Sequence, residues 1–160
     1  MYKIACPDFY RDYSHMYPFN VRVYGILLED NSVLLTDEYF HETFITKFPG
    51  GGLQFGEGTV DCVRREFLEE LNLEVEVVNH FYTTDFFQPS AFDKENQIIS
   101  IYYLVKAAGE MNFKTTNKKF DFTELKNNVQ TFRWVELKDL TEDEMTFPID
   151  KKVAGMLKKL

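Results

Sequence analysis

The 160-residue length suits one domain, and 44% hydrophobic with 16% aromatic residues supply enough apolar surface for a core. With 28% charged residues and no long block of one sign, the composition is typical of a folded protein and not of a disordered one. The formal net charge of −8 argues against a nucleic acid polymer as partner, because binding to its backbone requires a basic surface. A small phosphate substrate remains compatible with this charge.

The lack of a recognisable targeting signal and the cysteine usage predict a cytoplasmic protein without membrane contact. No apolar run approaches the roughly 20 residues that a membrane helix needs, and the N-terminal residues lack the hydrophobic segment of a secretory signal. Cys6 and Cys62 are far apart and form no paired motif, which favours two free thiols over a disulfide or a structural zinc site.

The first 20 residues differ in composition from the rest of the chain. They are rich in Tyr, Phe and Pro and show no clear periodicity. We interpret residues 1–20 as an N-terminal aromatic arm that packs through its rings or takes part in a homodimer contact. Residues 21–160 are then expected to form a single domain.

Two predicted strands and a glycine-rich loop follow the arm. The apolar runs at 21–30 and 32–40 meet at the turn residues Asp30 and Asn31, which predicts a β-hairpin. A short strand is expected from residue 44. It should give way to a loop at Pro49, because this proline and the three glycines after it interrupt regular structure.

Residues 60–71 have the spacing of an amphipathic helix, with an apolar face formed by Val60, Val63, Phe67 and Leu71. Thr59 is the predicted N-cap. Asn72 is the predicted end, because asparagine tolerates the left-handed conformation that often follows a helix.

The second half of the chain predicts three more strands and a final helix. The strands are expected at 73–87, 97–107 and 131–140. Asp150 is the predicted cap of a helix whose inner face is formed by Val153, Met156, Leu157 and Leu160 and which spans 151–160. The order of strands, helix, strands and helix predicts an α/β or α+β sandwich with a mixed β-sheet between helices.

An acidic arc borders the apolar face of the first predicted helix. At about 100° per residue, Glu66, Glu69 and Glu70 fall within an arc of about 100°, and Arg65 can pair with Glu69 one turn later. Carboxylates at this spacing repel one another, and a bound Mg²⁺ or Mn²⁺ would offset the repulsion through hard oxygen ligands. Taken alone, the acidic segment also fits a solvated helix face with ion pairs between successive turns.

The glycines, the helix start and the acidic arc together resemble the Nudix box, G-x5-E-x7-R-E-U-x-E-E-x-G-U, where U is a bulky apolar residue. The positions of this motif are filled by Gly51, Glu57, Arg65, Glu66, Phe67, Glu69, Glu70 and Leu73. Asn72 stands where the family has glycine, and asparagine tolerates the same left-handed geometry. The flanking segments FPGGG and TFRWVEL also resemble Nudix domains.

The resemblance implies a Nudix-type α/β/α sandwich and a metal-dependent hydrolase. The implied reaction, with Mg²⁺ or Mn²⁺, is hydrolysis of a diphosphate linkage in a nucleoside diphosphate derivative. By position, the implied metal ligands are Glu66, Glu69 and Glu70, together with the carbonyl of Gly50.

The same resemblance gives Arg65 a catalytic role beside the three glutamates, which it would orient through salt bridges. Glu57 is its implied partner and, with Gly51, supports the structure of the site. The general base is a glutamate of the box or a carboxylate from a loop outside it. The candidates outside it, each of which also fits a solvated loop charge, are Asp93, Glu95 and Glu110.

Features outside the box bear on the substrate. Pro89 lies 16 positions after Leu73, a distance at which some ADP-ribose-cleaving relatives carry a proline, and it slightly favours ADP-ribose or a nucleotide sugar. Arg22 and Lys47 are candidates for contact with phosphates. Candidates for stacking on a base are Phe44, Phe55, Phe86, Phe87 and Phe92.

Two alternative functions stay open at this point. One is a clean-up pyrophosphatase for nucleoside triphosphates, and the other is a non-catalytic module that binds a nucleotide sugar. The box keeps all its acidic residues, and 160 residues leave no room for a separate DNA-binding domain. Both observations favour an enzyme over a binding module.

Overall fold

The computed structural model describes residues 18–159. Seven strands, two α-helices and a 3-10 helix follow one another in this part of the chain: β1 (Phe19–Glu29), β2 (Ser32–Phe40), β3 (Thr43–Lys47), β4 (Gly50–Gly52), α1 (Thr59–Leu71), β5 (Val75–Thr83), β6 (Gln97–Ala107), β7 (Val129–Glu136), the 3-10 helix (Glu142–Glu144) and α2 (Pro148–Leu157). None of these helices is long and apolar enough to span a membrane. Most of the predicted arm lies outside the described residues, so its packing and a homodimer contact stay predictions.

The strands form one mixed sheet around β1. β1 runs parallel to β6 and antiparallel to β4, and its end pairs with the start of β2. β2 pairs antiparallel with both β3 and β7, and β5 pairs antiparallel with β6. The predicted mixed sheet is thereby confirmed.

The predicted hairpin between β1 and β2 is also confirmed. Asp30 and Asn31 have φ values of 46° and 62°, the left-handed conformation that a two-residue hairpin turn requires. Both residue types tolerate it because their short polar side chains bond locally. The first strand starts at Phe19, two residues before its predicted start.

Two apolar clusters lie on opposite faces of the sheet. On one face, β-strand residues pack against Cys62, Val63, Phe67 and Leu71 of α1. On the other, they pack against Ile149, Val153, Ala154 and Leu157 of α2. Each helix thus covers one face, which confirms the α/β/α sandwich.

The prediction of a loop directly after Pro49 was wrong, because Gly50–Gly52 pair with β1 as β4. Gly50 has a φ of 134°, and a Cβ there would lie 2.3 Å from the carbonyl oxygen of Val23. Gly50 can therefore approach β1 where a larger residue could not.

The predicted N-cap of α1 was displaced by one residue. Gly58 occupies the cap position, and Asp61 Oδ2 accepts a hydrogen bond from its N–H at 3.4 Å. The Thr59 hydroxyl is instead engaged with the Tyr103 hydroxyl at 2.7 Å. The predicted end is confirmed, since Asn72 is left-handed with a φ of 50°.

The last helix starts earlier than predicted. Pro148 is its first residue, a position where the missing N–H has no helical partner to lose. Asp150 therefore lies within the first turn and caps nothing; it is buried and accepts a hydrogen bond from the Tyr102 hydroxyl at 2.7 Å. Val153 and Leu157 face the core as predicted, whereas Leu160 lies outside the described residues.

Two strands are shorter than predicted. β5 ends at Thr83. The Thr84 N–H still donates to the Ser100 carbonyl at 3.0 Å, but the Ser100 N–H donates to the side-chain Oγ1 of Thr84 at 2.7 Å and not to its backbone. β7 ends at Glu136, after which the Leu137 N–H donates to the carbonyl of Asn31 at 2.8 Å. The strand then turns away toward the 3-10 helix.

Replacing Phe67 by alanine should lower the free energy of unfolding by about 3–5 kcal/mol, because it leaves a cavity in the core on the α1 side. The ring is fully buried, and a Cβ on Gly25 would lie 2.4 Å from it. Urea unfolding measures the change. Leu68→Ala on the same helix is the control, since that side chain is 51% exposed. Equal midpoints for Phe67→Ala and the wild type would contradict this packing.

Asp150→Asn should change how stability depends on pH. Burial raises the pKa of Asp150 from 3.8 to about 7, although the Tyr102 hydrogen bond opposes the shift. A raised carboxyl pKa contributes stability that is fully present below pH 4 and lost as pH rises to 7, up to about 4 kcal/mol. Asp150→Asn has no carboxyl to titrate at this position, so it should not show this fall in stability between pH 4 and 7. Urea unfolding from pH 4 to 8 tests it, with exposed Asp139→Asn as control; parallel curves for Asp150→Asn and the wild type would contradict it.

Candidate active site

Helix α1 holds two of the box glutamates against the glycine strand β4. The Glu66 carboxylate lies so close to Gly51 that a Cβ on this glycine would be 2.5 Å from Glu66 Oε1. Glu70 Oε2 accepts the Gly50 N–H at 3.2 Å. Because the residues of β4 carry no side chains, the carboxylates of α1 can reach its backbone.

Arg65 connects the acidic residues of the site. Its Nε and Nη2 donate to both carboxylate oxygens of Glu57, at 3.0 and 2.8 Å. Its Nη1 donates to Glu66 Oε1 at 2.8 Å and to Glu69 Oε2 at 3.1 Å. The guanidinium also reaches the carbonyl of Gly52 at 3.1 Å. The pairs of Arg65 with Glu57 and with Glu69 are thus formed as predicted.

The protonation of Glu57 follows from these bonds. The Arg65 side chain, and after it the Gln54 N–H, lower the pKa of Glu57 to about 2. The same pairing with Glu57 raises the pKa of Arg65 above its ordinary value. This ion pair therefore persists throughout the neutral range and fixes the guanidinium.

Lys47 brings a second cation to the site. Its Nζ donates to the Gly50 carbonyl at 3.1 Å and lies 3.4 Å from Glu38 Oε2 and 4.0 Å from Glu70 Oε1. Burial acts to lower the pKa of Lys47, but Glu70, Tyr24 and Glu38 outweigh it, and the pKa lies above its ordinary value. The ammonium is therefore charged although the side chain is buried.

Glu38 is a site residue that sequence reasoning missed. It lies on β2, far along the chain from the box, and is paired with Ile45 of β3. The β2–β3 pairing brings its carboxylate to Lys47. The signal that the sequence offered is the acidic pair Asp37 and Glu38 in the second half of the strand, and the sequence did not show which of the two carboxylates reaches the site.

The three predicted metal ligands differ in their surroundings. Burial raises the pKa of Glu70 to about 7, opposed by Lys47. Glu69 turns outward to Arg65, with its side chain 59% exposed. Among residues 18–159, no three histidine, cysteine, aspartate or glutamate side chains converge on a point that could hold a metal ion.

In this arrangement the glutamates neutralise cations of the chain itself, Arg65 and Lys47. Their chemistry nevertheless fits a hard divalent cation, because carboxylate oxygens and the Gly50 carbonyl are the donors that Mg²⁺ and Mn²⁺ prefer. The role of Glu66, Glu69 and Glu70 as metal ligands stays a prediction.

A cavity of about 240 Å³ adjoins this acidic site on the α2 side of the sheet. Four candidates for substrate contact line it, namely Arg22, Lys47, Pro89 and Phe92. The other aromatic candidates, which do not line it, are Phe44, Phe55, Phe86 and Phe87. Glu38 and Asp150 also belong to its wall, so the cavity carries charges of both signs.

The candidates for a general base outside the box lie in exposed loops. Asp93 accepts the Glu95 N–H at 3.1 Å, and Glu110 accepts an Asn112 side-chain N–H at 3.1 Å. None of Asp93, Glu95 and Glu110 lines the cavity. These bonds stabilise their own loops, and a catalytic role for any of the three stays a prediction.

Comparisons with known proteins agree on the fold. A NUDIX hydrolase from Nitrosomonas europaea has a TM-score of 0.65 at 18% identity, covering 89% of this chain and 88% of that one. A MutT NUDIX hydrolase from Burkholderia pseudomallei has a TM-score of 0.64 at 19% identity, covering 89% and 98%. An ADP-ribose pyrophosphatase from Streptococcus suis has a TM-score of 0.56 at 18% identity, covering 86% of each chain.

At these identities the structural likeness shows the fold alone. A search of curated protein sequences finds no match. The family model described as NUDIX domain, however, matches residues 16–156, which is most of the chain. The chain therefore belongs to the NUDIX domain family.

Proposed function

We propose that this protein is a metal-dependent hydrolase that splits a diphosphate linkage in a nucleoside diphosphate derivative, with a nucleotide sugar or ADP-ribose as the favoured substrate. The observation that carries the proposal is the acidic face of α1, held against β4 beside a cavity that two cations line. Carboxylates for a metal and cations for phosphates thus meet at one place.

The residues that would hold Mg²⁺ or Mn²⁺ are Glu66, Glu69, Glu70 and the Gly50 carbonyl. A divalent cation bound there would neutralise charge on the diphosphate and lower the pKa of a bound water. Lys47 contacts Gly50 and lines the cavity, so it stands where the phosphates of a bound substrate would meet this cation.

The chain's own residues supply orientation and charge. Arg65 holds Glu66 and Glu69 from one side through a planar guanidinium, which a flexible ammonium could not do in the same way. Arg22 and Lys47 supply positive charge for the negative phosphates. The general base is most simply a glutamate of the box, since the loop carboxylates lie outside the cavity.

The names of the structural neighbours support two substrate classes. The Streptococcus suis protein is named an ADP-ribose pyrophosphatase, and the Burkholderia pseudomallei protein a MutT hydrolase. Pro89 in the cavity wall favours the first class. Clean-up of nucleoside triphosphates is the second candidate, and a location in the cytoplasm stays a prediction from cysteine usage.

The test is hydrolysis of a substrate panel by the full chain with Mg²⁺ and with Mn²⁺. The panel holds ADP-ribose, other nucleotide sugars, dinucleoside polyphosphates, NADH and nucleoside triphosphates. Rapid metal-dependent cleavage of ADP-ribose or a nucleotide sugar is the expected result. Preference for triphosphates would move the function to the clean-up class. Tight binding of one ligand without turnover would identify a binding module.

Glu70→Gln should lower turnover of the best substrate by about 100-fold or more, because it removes a predicted metal ligand. The fold should be retained, since the change reduces repulsion with Glu66. The matched control is Glu74→Gln, which alters an exposed glutamate just beyond the helix. Full turnover by a folded Glu70→Gln variant would disprove the assignment of Glu70.

Arg65→Lys should weaken Mn²⁺ binding and turnover by about 10–100-fold, because an ammonium cannot bridge Glu57, Glu66 and Glu69 at once. Mn²⁺ affinity is measured by electron paramagnetic resonance, independently of turnover. Arg64→Lys is the control, since Arg64 is the exposed neighbour on the same helix. Unchanged Mn²⁺ affinity in Arg65→Lys would show that the guanidinium does not position the ligands.

A further inference from the structure

Lys47 occupies oxygen donors that the proposed metal site needs. Its Nζ donates to the Gly50 carbonyl at 3.1 Å and lies 4.0 Å from Glu70 Oε1. The side chain of Lys47 is only 7% exposed, so water and salt screen these interactions little. A divalent cation prefers the same carbonyl and carboxylate oxygens. The ammonium and such a cation would therefore compete for Gly50 and Glu70.

A third group gives the ammonium another partner. Glu38 Oε2 lies 3.4 Å from Lys47 Nζ, and the side chain of Glu38 is 19% exposed. Among residues 18–159, Glu38 and Glu70 are the carboxylates within 4.0 Å of this ammonium. Glu38 is not one of the predicted metal ligands. Movement of the ammonium away from Gly50 and toward Glu38 would therefore leave it paired inside the fold.

The pairing of β2 with β3 brings Glu38 to this position. Thr36 pairs with Lys47 and Glu38 pairs with Ile45, so Glu38 is the diagonal neighbour of Lys47 across the two strands. Diagonal neighbours share a face of the sheet, and long side chains reach across the distance between them. The flexible stem of a lysine also lets its ammonium turn from one partner to another. The register of the sheet therefore supplies the second partner.

Electrostatics makes the second partner necessary. Two positive charges beside the Gly50 carbonyl would repel each other strongly, because both would be largely shielded from water. An ammonium driven away from Gly50 and Glu70 without another carboxylate would be a costly unpaired charge. Glu38 removes this cost. Metal binding should therefore depend on Lys47 and Glu38 in opposite directions.

We propose that Lys47 is an internal counter-ion that holds Gly50 and Glu70 while no metal is bound, and that Glu38 is the positioning residue that receives its ammonium when a divalent cation binds. The inference rests on the proposed function, because it presupposes the metal site. It adds that two residues outside the box set the metal affinity. Lys47 lowers this affinity, and Glu38 raises it by drawing the ammonium away.

The test is Mn²⁺ binding to the full chain, measured by electron paramagnetic resonance without any substrate. Lys47→Met should bind Mn²⁺ about tenfold more tightly or better than the wild type, because Glu38 and Glu70 lose their counter-ion. Loss of one partner from a buried ion pair also destabilises a protein, so Lys47→Gln, which is neutral but still polar, is the second variant with the same expected result. Unchanged or weaker Mn²⁺ affinity in a folded variant would overturn the proposal.

Glu38→Gln should have the opposite effect and weaken Mn²⁺ binding by about threefold to tenfold, because the ammonium then has no second carboxylate to receive it. A change that merely loosened the site would weaken binding in Lys47→Met and in Glu38→Gln alike. The opposite signs therefore separate this role from a structural one. Unchanged Mn²⁺ affinity in Glu38→Gln would show that Glu38 does not receive the ammonium.

The double variant separates action through Lys47 from direct attraction of the metal by Glu38. Because Lys47→Met has no ammonium to receive, Glu38→Gln should lose most of its effect in that background. Equal weakening in both backgrounds would assign Glu38 to the metal itself and overturn the proposal. The matched controls are Lys106→Met and Glu76→Gln, which alter an exposed ion pair with 2.7 Å between its charged atoms. Neither control should change the Mn²⁺ affinity.

Glu70→Gln distinguishes this inference from the proposed function. Wild-type Mn²⁺ affinity in a folded Glu70→Gln variant would disprove the metal assignment on which both rest. Mn²⁺ binding that Glu70→Gln abolishes, but that Lys47→Met and Glu38→Gln leave unchanged, would disprove this inference alone. Hydrolysis of the substrate panel is measured separately. Opposite effects of Lys47→Met and Glu38→Gln without any hydrolysis would disprove the proposed function alone.

Discussion

The pairing of Arg65 with the glutamates around it is the interaction on which the acidic face of α1 depends. Three carboxylates on successive turns repel one another, and the repulsion is tolerable only where cations oppose it. One guanidinium bonds to Glu57, Glu66 and Glu69, and the ammonium of Lys47 lies near Glu70. The carboxylates are therefore held in fixed positions by charges that the fold supplies.

This arrangement requires β4 to consist of residues without side chains. Gly51 leaves room for the Glu66 carboxylate, and Gly50 adopts a φ that side chains disfavour while its N–H binds Glu70. The glycines therefore serve the contact with α1 as well as the pairing with β1. A change to alanine at Gly51 would displace Glu66 before it disturbed the rest of the sheet.

The sequence could predict those features of the structure that depend on residues close together along the chain. The box lies within 23 consecutive residues, and its Arg65–Glu57 and Arg65–Glu69 pairs follow from the turns of one helix and the loop before it. Features that depend on distant pairing could not be predicted. β4 is a strand only because it pairs with β1. Glu38 reaches Lys47 through the pairing of β2 with β3. Asp150 is buried because α2 packs on the strand that carries Tyr102.

The two faces of the sheet therefore present different chemical groups. The face under α1 presents the carboxylates, whereas the face under α2 encloses the cavity with Asp150 in its wall. Lys47 connects the carboxylates with the cavity, because its ammonium donates to the Gly50 carbonyl beside the carboxylates and its side chain lines the cavity. Because separate helices build the two halves, substitutions in α2 should change the cavity wall without moving the glutamates of α1. This separation explains why a box that is readable in the sequence does not by itself specify the substrate.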